Sequence, residues 1–171
     1  MRRKFFLLPL LVCLLAGCAS LKNPPPLQCL PPPKGFFPAN ALITQRALFT
    51  ARGRQFALNG YLALSETGGK RLIITGTFGS VMADLLVKPD GKTFVMQSSR
   101  MFPEKYIRRL VAADLECVFG GTPRLDCPVA MPDKNHFVID RGGYKLDLRI
   151  VETKPGAQPA ELFDETRAQK K

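Results

Sequence analysis

Histidine occurs once in these 171 residues, at position 136, and tryptophan does not occur at all. One imidazole cannot complete a zinc site of the Cys/His kind, and no cysteine spacing here fits such a pattern. At the start of a strand pattern, His136 reads as a structural residue. Neither a metal nor any other cofactor is expected. The strings that carry common enzyme chemistry are also missing: no Gly-x-Ser-x-Gly, no Walker loop, no dinucleotide fingerprint. A non-enzymatic protein is expected. Beyond residue 16, no apolar run approaches the ~20 residues that a membrane-crossing helix requires. No segment of 20–50 residues repeats, which excludes solenoids and propellers. Acidic residues are outnumbered, 14 against 25 basic ones. Yet no helix or strand carries a dense Lys/Arg run interleaved with aromatics, so nucleic acid is not expected as a partner. Anionic lipid headgroups suit the surplus better, at about 1 kcal/mol per charge near a membrane, beside the plain role of solvating the surface.

What is present begins with Arg2-Arg3-Lys4 and an apolar run over residues 5–16, broken only by Pro9. Leu15-Ala16-Gly17-Cys18 follows. A positive start, a short apolar stretch and small residues at a cut are the layout of an export signal. With cysteine directly after the cut, the string resembles a bacterial lipobox. That resemblance implies removal of residues 1–17, a diacylglyceryl group on Cys18 and a palmitate-type acyl group on the new amino terminus. An ordinary secretory signal with a coincidental cysteine is the competing reading. At about 0.8 kcal/mol per buried CH2, one acyl chain attaches a protein reversibly and several chains anchor it stably. Ala19 stands where Asp marks retention at the inner membrane in enteric bacteria. Lipid anchorage at the outer membrane, facing the periplasm, is therefore expected.

Residues 1–17 hold three basic residues and no acidic one, so +8 of the formal +11 remains after processing. Residues 18–39 form a spacer, with seven prolines between Asn23 and Pro38. Proline lacks a backbone donor and fixes φ, which favours extended polyproline II. Residues 40–153 have the size of one domain with one core; residues 154–171 read as a polar tail. Among the remaining cysteines, Cys117 and Cys127 flank Gly120-Gly121-Thr122-Pro123, where the chain can turn back. An oxidising compartment allows a bridge between them. Cys29 is left either free or as a competing partner.

Strand signals dominate from residue 41. Residues 41–52 are apolar and β-branched. Phe56, Leu58, Leu62 and Leu64 alternate with polar or small residues, with Gly60 as a candidate bulge. Residues 71–77 and 80–88 read as strands about Gly79, and Lys88-Pro89-Asp90-Gly91 is a hairpin turn leading to a strand over 92–98. The period then changes. Pro103 suits a first helical position, Glu104 suits the positive helix end, and Tyr106, Ile107, Leu110, Val111, Asp114, Leu115 and Val118 recur at helical steps. Gly120-Gly121 stops the helix. Residues 136–140 and 144–151 make a final hairpin.

A lone amphipathic helix must bury its stripe, and a curled meander offers a concave apolar face. The expected fold is α+β, mostly antiparallel β: an open, half-closed barrel of about seven strands with a helix covering its concave face. Such a helix leaves either a dry core or a pocket for an apolar ligand. The lipobox, the meander, the Phe-Gly hairpin Thr77-Phe78-Gly79, the Pro-started helix, and Leu30-Pro31-Pro32-Pro33 followed by Gln45 and the first strand together resemble the LolB-like family of small outer-membrane lipoproteins. The resemblance spans about residues 29–151. It implies a LolA/LolB-like barrel whose helical lid holds acyl chains, with lipoprotein cargo received from a LolA-like carrier. It carries over one functional residue, the lipidated Cys18.

The candidate pocket wall comprises Phe56, Leu58, Leu62, Leu64, Ile74, Leu85, Phe94, Met96, Leu110 and Leu115, all equally suited to a filled core. Asp84 alternates with Met82 and Leu86; it is either an inward carboxylate with a raised pKa or the mark of a kink or a different register. Asp114 breaks the helix stripe, with a salt bridge as its structural reading. Asp140-Arg141-Gly142-Gly143 needs no explanation beyond a turn. Phe36-Phe37 either dip into the membrane interface, plug the barrel or latch the spacer onto the core. The expected function is binding or passing on an acyl, lipid or lipoprotein cargo at the outer membrane. The alternative is an interaction lipoprotein that supports an envelope complex.

Overall fold

The structure, a computed structural model, describes residues 32–120 and 127–168. The signal, Cys18, Cys29, most of the spacer and residues 121–126 lie outside the described residues. Eight strands form one sheet: β1 (Ala41–Ala51), β2 (Arg54–Leu64), β3 (Lys70–Gly76), β4 (Val81–Val87), β5 (Thr93–Ser98), β6 (Val129–Asp133), β7 (His136–Asp140) and β8 (Tyr144–Pro155). Their order is β5-β4-β3-β2-β1-β8-β7-β6, and each strand pairs antiparallel with its neighbours. The chain thus winds round to pair β8 with β1, while β5 and β6 remain unjoined edges. An open barrel results, with its gap where the helix is inserted.

The strand count exceeds the expected seven because β6 has no readable period. It is short and carries Pro132, which an edge strand tolerates because its outward side needs no donor. Gly60 is not a bulge: the β1–β2 register runs unbroken through Gln45↔Gly60. Shifts fall instead beside Thr44/Gln45 against β8, Ile74/Thr75 against β4, Asp84/Leu85 against β5 and Ala130/Asp133 against β7.

The helical stretch comprises a turn at Glu104–Tyr106, a π-helical turn at Ile107–Val111 and a regular helix at Ala112–Phe119. Pro103 precedes it as an extended cap, so Glu104 is the first helical residue. Ile107, Leu115 and Val118 are buried on the concave face against Ala41, Ile43, Leu62 and Leu85, in a core completed by Phe137 and Ile139. Glu104 pairs with Arg108 on the outer side, and Arg108 also donates to the Thr93 carbonyl of edge strand β5.

The convex face of β3–β5 is covered as well. Past β8, two 3-10 turns (Ala160–Phe163, Glu165–Ala168) place carbonyls of Leu162 and Phe163 within 3.1 Å of Arg71 and Lys88. This double cover buries every residue of β4 from Ala83 to Val87 and erases its alternation. Asp84 accordingly faces the convex side with Leu86, while Ala83, Leu85 and Val87 point into the core. There Asp84 accepts two bonds from Arg71, at 3.1 and 2.8 Å. The bidentate carboxylate raises the pKa of Arg71 against the cost of burial.

Cys117, on the helix, lies at disulfide distance from Cys127, with sulfurs 2.06 Å and Cα atoms 5.5 Å apart. This link fastens the helix to the start of β6. Closing a loop of this size constrains the unfolded chain by about 2–3 kcal/mol. The Cys117→Ser/Cys127→Ser chain is expected to melt on the order of 10 °C lower in circular dichroism; an unchanged Tm would show that the link adds nothing.

Candidate ligand cavity

Burial along the inward face of β1 falls steadily from one end to the other. Ala41, Ile43 and Gln45 are buried; Ala47, Phe49 and Ala51 are half-buried. The first end is filled. Phe36 and Phe37 fold back onto it, with ring centroids 6.1 Å from Phe137 and 4.6 Å from Phe119 respectively. Both are packed against the core, as a latch would be. The other end is hollow, because β1 presents the small side chains of Ala47 and Ala51 there. A cavity of about 490 Å³ opens between β1, β2, β8 and the helix.

Its wall is chiefly hydrocarbon. Leu58, Leu72, Ile74, Leu146 and Leu148 contribute from the sheet, and Leu110, Val111 and Leu115 from the helix. Phe49, Phe102 and Tyr144 cluster at the mouth, where the Phe49 centroid is 5.6 and 5.5 Å from the other two. Arg52 and Arg100 also line the mouth, and neither has an ion-pair partner among the described residues. Arg52 takes φ 50°, a conformation usually left to Gly or Asn, and with Gly53 at φ 70° it forms the two-residue β1–β2 turn. A cation thereby stands on the rim. The β3–β4 turn lies on the same rim, and its Phe78 is 98% exposed.

One polar cluster ties the helix to the sheet at the cavity edge. Asp114 accepts from Arg141 Nε and Nη2, both at 2.8 Å, and from the Tyr144 hydroxyl. Burial pushes the Asp114 carboxyl above its ordinary value, against the pull of Tyr144 and Arg141. Burial opposes the charge on Arg141, but Asp114 outweighs it and the guanidinium pKa is raised. Burial first, and then the carboxylate, raise the Tyr144 phenol, so it stays a donor at neutral pH. The fastening by Asp114, Arg141 and Tyr144 sits one helical turn from the Cys117–Cys127 link.

Of the ten residues picked from sequence as pocket wall, Leu58, Ile74, Leu110 and Leu115 line the cavity. Leu62, Leu64 and Leu85 belong to the filled part of the core, since they face inward beyond its floor. Phe56 stands outside the cavity, its ring 6.4 Å from that of Phe49. Phe94 pairs with Leu86 on the convex side, and Met96, at the β4–β5 register shift, is buried outside the concave core. Alternation marks two faces of a strand without saying which is inward, and Phe94 and Met96 lie away from the cavity. Arg141, expected only to shape a turn, reaches across to the helix. Gln45, named above only for the family resemblance, also lines the cavity, and its place in an inward-facing series with Ala41, Ile43 and Ala47 is the readable signal for that.

Among the described residues, no group of His, Cys, Asp and Glu could hold a metal ion, and no helix is long and apolar enough to cross a membrane. The chain matches no family model and no curated protein.

Proposed function

We propose that this chain is a LolB-like, non-enzymatic lipoprotein, held at the periplasmic face of the outer membrane by lipid on Cys18, that takes up an acyl chain of a lipid or lipoprotein. The cavity carries the reading. Its 490 Å³ lies within the range of small-molecule sites, and its wall is apolar with few polar groups. Since a liquid water occupies about 30 Å³, the space suits on the order of 16 water- or methylene-sized groups, about one acyl chain. At about 0.8 kcal/mol per buried CH2, one such chain gives ample affinity. The rim supports the same reading, because Arg52 and Arg100 suit an anionic headgroup and Phe78 suits a bilayer interface. A LolA-like carrier that hands over cargo is the partner this function implies.

Titration with the apolar fluorophore N-phenyl-1-naphthylamine tests the cavity: emission is expected to rise and saturate at one probe per chain. No rise would count against uptake of any apolar ligand. Anchorage is tested separately by Cys18→Ser, which is expected to move the protein from the membrane fraction to the soluble periplasm. Continued fractionation with membranes would remove the lipid anchor from the account.

A further inference from the structure

Two properties of the cavity narrow the cargo it can take. The first is capacity. At about 490 Å³ it admits about one acyl chain, whereas the anchor of a lipoprotein carries three. The second is the charge left at the mouth. That end of the barrel is built from the β1–β2 and β7–β8 turns, the segment after β5 and the start of the helix. Its acidic side chains are engaged: Asp114 by Arg141 and Tyr144, Glu104 by Arg108, and Asp140 by the backbone N–H of Gly142. Arg52 and Arg100, both exposed and both lining the cavity, have no such partner among the described residues. The other polar residues of the wall, Gln45 and Asn59, are neutral. An apolar bore for one chain thus ends in two unmatched cations.

We infer that the cargo is a single-chain anionic amphiphile, a long-chain carboxylate or a monoacyl phosphate, whose chain lies in the cavity and whose acid group meets Arg52 and Arg100 at the mouth. The inference rests on the uptake of an acyl chain proposed above and, of lipid and lipoprotein, selects the lipid. A guanidinium forks onto a carboxylate or a phosphate alike, so one rim serves either head. A lipoprotein's acylated cysteine joins its chains through ester, thioether and amide groups. It brings no acid group to the mouth, and two of its chains stay outside.

The test uses displacement of N-phenyl-1-naphthylamine from the Cys18→Ser chain by tetradecanoate, tetradecanoyl lysophosphatidate, 1-tetradecanol and a triacylated cysteinyl peptide. Both anions are expected to bind about tenfold tighter than the alcohol; tenfold corresponds to about 1.4 kcal/mol, a size that two exposed charge contacts supply. The advantage is expected to shrink as salt is raised. It is expected to disappear in Arg52→Asn/Arg100→Gln, where Asn suits the φ of 50° at position 52. The tighter of the two anions identifies carboxylate or phosphate as the head. Because the wild-type comparison needs no variant, misfolding of the double variant would leave the test intact. Equal wild-type affinity for anions and alcohol would overturn the acid group at the mouth. Tighter binding of the peptide than of either anion would overturn the single chain. Both results leave the uptake of apolar ligands standing, whereas displacement by none of the four would overturn that as well.

Discussion

Ala47→Phe is expected to abolish uptake of an acyl-chain probe while leaving the fold intact. Ala47 lies on the inward face of the central strand, between Leu58 of β2 and Leu148 of β8, and all three residues line the cavity. A benzyl group projected from there occupies the middle of the hollow, with no neighbour to displace except bound ligand. Excluding about four methylenes of a chain removes about 3 kcal/mol, near a hundredfold in affinity. Overpacking usually destabilises a dense core by 1–3 kcal/mol, but here the added ring enters open space. Thermal stability is therefore expected to hold or rise while the fluorescence titration goes flat. A variant that folds and still saturates with wild-type affinity would show that the probe binds elsewhere.

Asp84→Ala is expected to lower stability by about 3–5 kcal/mol, the largest single loss foreseen for a polar residue in this chain. Arg71 and Asp84 are each 8% exposed and lie beneath the C-terminal turns. Removing the carboxylate leaves a guanidinium buried with the Leu162 carbonyl as its remaining partner. The same change loosens the C-terminal cover, since Arg71 is its anchor point on β3. Arg71→Met/Asp84→Leu is expected to recover most of the loss, because a matched apolar pair carries no stranded charge. Chemical denaturation of the two variants reads the difference directly. Equal destabilisation of both would mean that shape, and not charge pairing, governs this position.

Much of the fold was legible in residue patterns, and the exceptions have physical causes. Strands with one covered face, such as β2 and β8, kept the alternation that marks them, and the helix stripe announced itself by its period. β4 did not, because the helix covers one side and the C-terminal turns cover the other. Asp84 there carried no sign of which face it served. β6 escaped because Pro132 and Asp133 resemble a loop unless the strand is known to lie at an edge. The cavity was readable as a possibility, since a helix over a concave sheet must either fill it or leave space. Its position depends on which residues face one another across strands. That Gln45 fills the space beside Gly60 while Ala47, beside Leu58, leaves room follows only once the β1–β2 register is fixed. Arg141 was invisible for a related reason: its partner Asp114 is 27 residues away on another element.

Native mass spectrometry of the Cys18→Ser chain, purified gently from the periplasm, tests uptake of an acyl chain most directly. A second species is expected, heavier than the bare chain by the mass of one acyl lipid and absent from Ala47→Phe. A bare mass alone in the wild-type cavity background, under conditions that keep weak complexes intact, would contradict the account.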